Sequence, residues 1–398
     1  MTQVSDRIAG LSPSETLAMS QKSNELKAQG IDVINLSVGE PDFFTPGHIK
    51  AAARKAIERN YSFYTPVAGY PELRKAIADK LKRENRLDYA TEQIVVSNGA
   101  KQSVCNALLS ILNPGDEVIL PAPYWVSYVE MVRLAQGVNV IVPTGIEEEF
   151  KLTPTRLEAA ITPRTKALIL CSPSNPTGSV YTREELEGLA GVLERHGRIL
   201  ILSDEIYEHI HYGEEHQSIA QFANIRNRVI LINGVSKAYA MTGWRIGFMA
   251  APLEIAQACC KLQGQYTSGA GSIAQQAAIA AFSGDQACVR EMCEAFRRRR
   301  DLTVALCREI PNLRFTVPQG AFYLFPEVDR YFGKQIGERI IRDVADLALY
   351  LLEVAHVATV GGAAFGAPGC LRLSYAASEE NLTEAITRIK NALFVLNG

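Results

Sequence analysis

Short, unbroken apolar runs bounded by turn residues recur along the chain and constrain its fold more than any other feature. They are Ile94–Ser97, Glu117–Leu120, Val138–Val142, Ala167–Cys171, Arg198–Ser203 and Val229–Asn233. A strand with one wet face alternates apolar and polar residues, whereas a strand covered on both faces reads as a continuous apolar run. Between the runs lie stretches with helical spacing, Lys101–Leu112 and Arg183–Arg195 among them. Thr182 precedes the second, with Glu185 three residues on, the pattern of a capping box. Alternating strands and helices predict an α/β fold, with a mostly parallel mixed sheet flanked by helices over residues 45–288.

The chain changes character after residue 288. Val289–Arg308 reads as a long charged helix, and its Arg297–Arg300 run as a solvated face. Arg314–Pro318 and Ala321–Phe325 follow, then a helix near 335–355, an apolar run at Cys370–Tyr375 and a last helix from Ser378. This predicts a smaller α+β domain over 289–398.

Several function classes drop out on composition. The 41 basic and 43 acidic residues give a net charge of −2, so a general nucleic-acid or polyanion binder is a poor reading. Apolar residues make up 47%, which is ample for a core and too many for a disordered chain. None of the eight cysteines forms a CxxC pair, so neither a zinc site nor a dithiol redox motif is expected. The stretch Leu262–Gly284 is uncharged but rich in Gln, Ser and Gly, which suits a buried helix pair better than a bilayer span. Without an apolar leader after Met1–Gly10, a cytoplasmic protein with reduced thiols is expected.

Three side chains stand at the carboxyl ends of predicted strands, where open α/β sheets bind ligands. Asp204 closes the run that begins at Arg198, Lys237 lies just past Val229–Asn233, and Asn175 sits in the tight turn Ser172–Gly178 after Ala167–Cys171. Singly, each has an ordinary explanation: a helix cap, a solvated lysine, a turn residue. Together with Arg245, eight residues past Lys237, they form the kit for a cofactor aldehyde held as a Schiff base.

The longer motifs carry a family likeness. Val38–Asp42, Tyr64 with Pro66, Gly69 and Leu73–Arg74, Ser172–Gly178, Ser203–Tyr207, Ser236–Lys237 with Met241–Arg245, and Leu371–Tyr375 span nearly the whole chain. The sequence resembles the class I aminotransferases of pyridoxal-phosphate fold type I, most closely the prokaryotic aspartate aminotransferases. The likeness implies pyridoxal 5'-phosphate as cofactor and places residues 1–44 in the small domain and the active-site lid. It makes Lys237 the Schiff-base lysine and proton carrier. Asp204 becomes the partner of the pyridine nitrogen, Tyr207 and Asn175 the partners of the phenolic oxygen, and Trp125 the indole stacked on the ring. The amides of Gly99, Ala100 and Lys101, at a helix start, and the Arg245 guanidinium would hold the phosphate. Tyr64 would reach the phosphate of a neighbouring subunit, so a homodimer with shared active sites is expected. One departure stands out: relatives often carry a phosphate-binding hydroxyl three residues before the lysine, and here that position is Gly234.

The same likeness assigns the substrate. Arg372 would clamp the α-carboxylate, because a planar guanidinium forks onto a carboxylate as lysine cannot. The Gly39 backbone would lie over the same group, beside Trp125 and Asn175, while Lys101 would receive a second, distal carboxylate and Thr16 would belong to the lid. The implied reaction is transfer of an amino group from L-aspartate to 2-oxoglutarate. Aromatic or alanine-like donors and prephenate are alternatives on the same scaffold. Some prephenate-using relatives carry a lysine near Ser12, and its absence counts against that activity. A cofactor-binding regulator is a remote alternative, since the motifs begin by residue 38 and leave no room ahead of them for a DNA-binding module. Carbon–sulfur lyase chemistry on the same fold is another remote alternative.

Overall fold

A computed structural model of the protein describes residues 4–213 and 215–397. Seven strands form the main sheet: β2 (Ile94–Ser97), β3 (Glu117–Ala122), β4 (Val138–Pro143), β5 (Thr165–Cys171), β6 (Leu200–Asp204), β7 (Val229–Gly234) and β8 (Gly247–Ala250). Their order is β2-β8-β7-β6-β5-β3-β4, with every neighbouring pair parallel except the two that involve β8. The six apolar runs are therefore the six parallel strands.

Both faces of this sheet are covered except along the edge strand β4, where Val138 and Ile141 are exposed. Along the strands, Val96, Leu168, Leu170, Ile201 and Leu231 join one apolar cluster, while their neighbours Val95, Ala167, Ile169, Leu202 and Ile230 join another. In the other six strands no position leaves a face wet, which is why they show no alternation in sequence. The Arg183–Arg195 helix starts as its capping box demands: Thr182 Oγ1 accepts from the Glu185 amide, and Glu185 Oε2 accepts from the Thr182 amide. The uncharged stretch forms the end of Leu253–Tyr266 and the helix Ser272–Ser283, with Gln263 and Gln275 fully buried and bonded to backbone carbonyls. Among the described residues no helix is long and apolar enough to cross a membrane.

The remaining strands are short: β1 (Ile34–Asn35), β9 (Tyr323–Leu324), β10 (Gln335–Ile336), β11 (Arg339–Ile340), β12 (Val357–Ala358), β13 (Val360–Gly361) and β14 (Leu371–Ser374). Strand β1 pairs with β12, so the segment before residue 45 is stitched to the C-terminal part of the chain. The order β13-β14-β9 puts β14 at the centre of a three-stranded sheet. This sheet shares an apolar cluster with the helices Ala287–Arg308, Val344–Val354 and Glu379–Asn397.

The arginine run corrects the sequence reading. Arg297 and Arg298 are solvated, but Arg299 forks onto Asp42 at 2.6 and 3.0 Å and stacks 4.7 Å from the Phe43 ring. Arg300 lies 4.7 Å from the Tyr212 ring and donates to the Pro318 carbonyl. Helical geometry explains the difference: four successive residues cover the full circumference, so two of them turn inward.

Candidate active site

The site lies where three adjacent parallel strands, β5, β6 and β7, end on the same edge. Asn175 follows β5, Asp204 is the last residue of β6, and Lys237 follows β7. Because β8 runs antiparallel, it begins where its neighbours end: Gly247 is in register with Gly234 of β7 and Ser97 of β2. Arg245, Lys237 and the start of the Ala100–Ile111 helix are thereby gathered at one corner. A cavity of about 360 Å³ opens there. Its wall includes Lys237, Asp204, Tyr207, Asn175, Trp125, Ala100, Lys101, Arg245, Gly39, Thr16 and Arg372.

The turn after β6 has two faces. Asp204 and Tyr207 look into the cavity, while Glu205 and Glu208 anchor the turn behind it. Glu205 accepts from Ser203 and Ser218 hydroxyls at 2.7 and 2.6 Å. Glu208 takes the buried Lys80 ammonium and the Asn85 amide. Each buried carboxylate is thus satisfied by partners outside the cavity, and the turn is held rigidly.

Asp204 is different. It accepts the Tyr128 hydroxyl at 2.6 Å and the Ile206 amide at 3.2 Å, but no cation pairs with it among the described residues. Burial pushes its carboxyl up to about 6, an anion short of a positive partner. Lys237 shows the converse. Burial, with Arg372 and Arg245 nearby, brings its amine down to about 8, against the pull of Glu40 and Asp204. Its Nζ donates to the Gly39 carbonyl at 2.6 Å. Such an amine is neutral part of the time near neutral pH, as a proton carrier must be.

Arg372, on β14, is 2% exposed. Its Nη1 donates to Asn175 Oδ1 at 3.0 Å and its Nη2 to the Ser37 carbonyl at 2.5 Å. The guanidinium carbon lies 4.6 Å from the Tyr323 ring centroid and 4.9 Å from that of Phe365. Its Nε has no partner among the described residues, and burial lowers its pKa. A buried guanidinium without a carboxylate facing a cavity asks for an anionic ligand.

Gly99 precedes the Ala100–Ile111 helix at φ +86°, and a Cβ there would collide with the Arg245 guanidinium. Arg245 donates to the carbonyls of Thr242 and Asn98 at 2.9 and 3.2 Å, which steers it across the helix start. The first-turn amides of Ala100 and Lys101 have no intrahelical acceptor. The Gly99 amide, however, is bonded to the Ser97 carbonyl at 2.8 Å, so the expectation that it also faces an anion is corrected. Lys101 Nζ sits 5.0 Å from the Trp125 ring centroid, and burial together with Arg245 lowers its pKa. At Gly234 a Cβ would lie 2.8 Å from both the Gly247 Cα and the Ile246 carbonyl, so no hydroxyl-bearing side chain fits there. Ser236 lines the cavity instead.

Tyr64 is not part of this wall; it is 98% exposed. Conversely, Tyr128 and Tyr323 line the cavity and escaped the sequence reading. Both are buried aromatics with no motif to distinguish them from core, and only their hydroxyl partners, Asp204 and Tyr207, betray a role.

The wall fits pyridoxal phosphate on its own chemistry. It offers an anion awaiting a ring nitrogen, an amine of lowered pKa, first-turn amides with an arginine for a phosphate, and a guanidinium for a carboxylate. The comparisons agree. Residues 31–389 match the family model for aminotransferases of class I and II. The chain is 50% identical to the aspartate/prephenate aminotransferase of Cereibacter sphaeroides, over 98% of each chain. It is 49% identical to the bifunctional aspartate aminotransferase and glutamate/aspartate-prephenate aminotransferase of Petunia hybrida, over 99% of this chain and 83% of that one. The aspartate aminotransferase structure from Rhizobium meliloti superposes with a TM-score of 0.95 at 45% identity, covering 98% of this chain and 99% of that one. The Thermus thermophilus enzyme, solved with maleate, gives 0.93 at 44%, covering 98% and 100%. This chain belongs to the class I and II aminotransferases, and it is a pyridoxal-phosphate-dependent transaminase acting on amino and 2-oxo acids.

Proposed function

We propose that the protein is an aspartate:2-oxoglutarate aminotransferase working by two half-reactions on one site, as a cytoplasmic homodimer. The single observation that carries the reading is the buried Arg372 guanidinium, with no carboxylate partner among the described residues, facing the same cavity as the Lys237 amine.

When bound, pyridoxal phosphate supplies an aldehyde that carries the amino group between half-reactions and a ring that takes up the electron pair released at Cα. The residues do the rest. Asp204 keeps the ring nitrogen protonated, and Tyr128 fixes one of its oxygens. Tyr207 donates to the phenolic oxygen, and so does Asn175, whose Oδ1 is already committed to Arg372. Ala100, Lys101 and Arg245, with Gly99 allowing their close approach, hold the phosphate. Trp125 covers the ring face. Arg372 clamps the α-carboxylate beneath Gly39 and so fixes which Cα bond faces Lys237, whose Nζ removes and returns the proton. Lys101 receives the distal carboxylate, and Thr16 lies on the N-terminal segment that closes over the substrate. Tyr64, idle on its own protomer, completes the phosphate site of the second subunit. In this reading residues 1–44 and 289–398 make up the small domain and 45–288 the large one.

The test is to add L-aspartate alone to the yellow holoenzyme. One equivalent of oxaloacetate per site, with conversion to the amine form of the cofactor, supports the reading. Equal kcat/KM for aspartate, tyrosine, phenylalanine and alanine would defeat the aspartate assignment. Prephenate is a second reading, favoured by the printed names of the Cereibacter and Petunia relatives. Against it, Ser12 offers no cation, and its amide is engaged by Glu130 at 3.1 Å.

A further inference from the structure

We propose that Tyr323 is a positioning residue with two separable duties: its hydroxyl orients Tyr207 towards the cofactor, and its ring seats the Arg372 clamp. The inference rests on the reading above that Tyr207 donates to the cofactor's phenolic oxygen.

Tyr323 lies on β9, paired through Ser374 with β14, the strand that carries Arg372. It is fully buried from solvent yet forms part of the cavity wall. Its hydroxyl is 2.8 Å from the Tyr207 hydroxyl, with the rings edge to face at 5.9 Å. A phenol has one proton to give. If Tyr207 gives its proton to the cofactor, the contact between the two hydroxyls requires Tyr323 to be the donor and Tyr207 the acceptor. Tyr323 thereby removes the rotamers in which the Tyr207 proton points elsewhere. Burial holds both phenols above the usual tyrosine range, so each keeps its proton at working pH.

The ring serves the other ligand. Arg372 lies 4.6 Å from its centroid, with the Phe365 ring at 4.9 Å. The same hydroxyl also bears on Gly39: a Cβ there would lie 2.5 Å from it, so only glycine lets this backbone, whose carbonyl holds Lys237, pass over Tyr323. One side chain from the C-terminal part of the chain thus touches the cofactor's partner, the carboxylate clamp and the lysine's perch.

Phenylalanine separates the duties, since Tyr323→Phe keeps the ring and removes the hydroxyl. A hydrogen bond into the phenolic oxygen weakens that oxygen's hold on the neighbouring imine proton. Losing its orientation should therefore raise the pH midpoint of the bound cofactor's visible absorption band, by about 0.3–1 unit, the size of one net hydrogen bond. The Kd of maleate, a non-reacting dicarboxylate, should stay within about twofold in Tyr323→Phe. In Tyr323→Leu it should rise about fivefold or more as Arg372 loses a stacking face. Tyr207→Phe is the reference. A midpoint that moves in Tyr207→Phe but by less than about 0.1 unit in Tyr323→Phe overturns the hydroxyl's role. A midpoint unmoved in Tyr207→Phe overturns the underlying reading of Tyr207 instead. Unchanged maleate affinity in Tyr323→Leu refutes the ring's role.

Discussion

Arg372 offers the sharpest quantitative test, because the structure says what its removal leaves behind. In Arg372→Ala the Asn175 Oδ1 and the Ser37 carbonyl lose donors at 3.0 and 2.5 Å, and the Tyr323 and Phe365 rings lose the guanidinium packed beside them. A substrate carboxylate entering this site then sheds its water without gaining a fork. Truncating one member of a buried charge pair takes about 2–5 kcal/mol from the complex. At about 1.36 kcal/mol per decade, kcat/KM for aspartate should fall roughly 30-fold to 5,000-fold. Arg372→Lys should recover only part of this, because a point charge cannot satisfy both carboxylate oxygens. The assay is steady-state transamination with 2-oxoglutarate held saturating. Cofactor absorbance and thermal melting, read in parallel, establish that the variants are loaded and folded. A loss below threefold in a loaded, folded Arg372→Ala enzyme refutes the placement of the carboxylate.

Three further tests bear on other parts of the wall. Burial raises Asp204 from 3.8 to about 6, so the cofactor-free folded state binds the extra proton and the group's stabilising effect is lost as pH rises from about 4 to 7. The stability of the wild type relative to Asp204→Asn, read by denaturant melts of cofactor-free protein, should fall by about 3 kcal/mol across that window; a flat difference contradicts the burial argument. Gly99→Ala should weaken phosphate-dependent cofactor binding about tenfold or more in equilibrium dialysis, because its φ of +86° and its contact with Arg245 both exclude a Cβ; unchanged affinity would show that the corner can relax. Lys101→Gln should lower kcat/KM for aspartate roughly tenfold while leaving alanine within about twofold; equal losses on both substrates would take Lys101 out of distal-carboxylate recognition.

What the sequence disclosed follows from which signals are local. The parallel strands are legible because burial keeps them largely apolar and confines most of their polar residues, such as Glu117, Thr165, Asp204 and Asn233, to their ends. Strand β8, Gly247–Ala250, was not anticipated: it is four residues long and is separated by one residue from the Met241–Arg245 motif. Its antiparallel direction is a tertiary fact, yet that direction brings Arg245 to the helix start. Asp204, Lys237 and Asn175 could be found because each follows a recognisable strand and sits in a long motif. Tyr128 and Tyr323 could not, since a buried tyrosine looks like core until its hydroxyl partner is known. The same reason explains the Arg297–Arg300 run, where Asp42, Phe43 and Tyr212, distant in sequence, decide which arginines are packed. Gly234 reads differently once Gly247 is seen against it: its missing side chain is a packing requirement of the β7–β8 pair.

Every role assigned above depends on where the cofactor is attached. Borohydride reduction of the holoenzyme, proteolysis and mass mapping of every lysine-containing peptide test this directly. One pyridoxyl-phosphate mass per chain is expected, on the peptide holding Lys237. An intact Lys237 with the adduct on another lysine, Lys101 included, contradicts it.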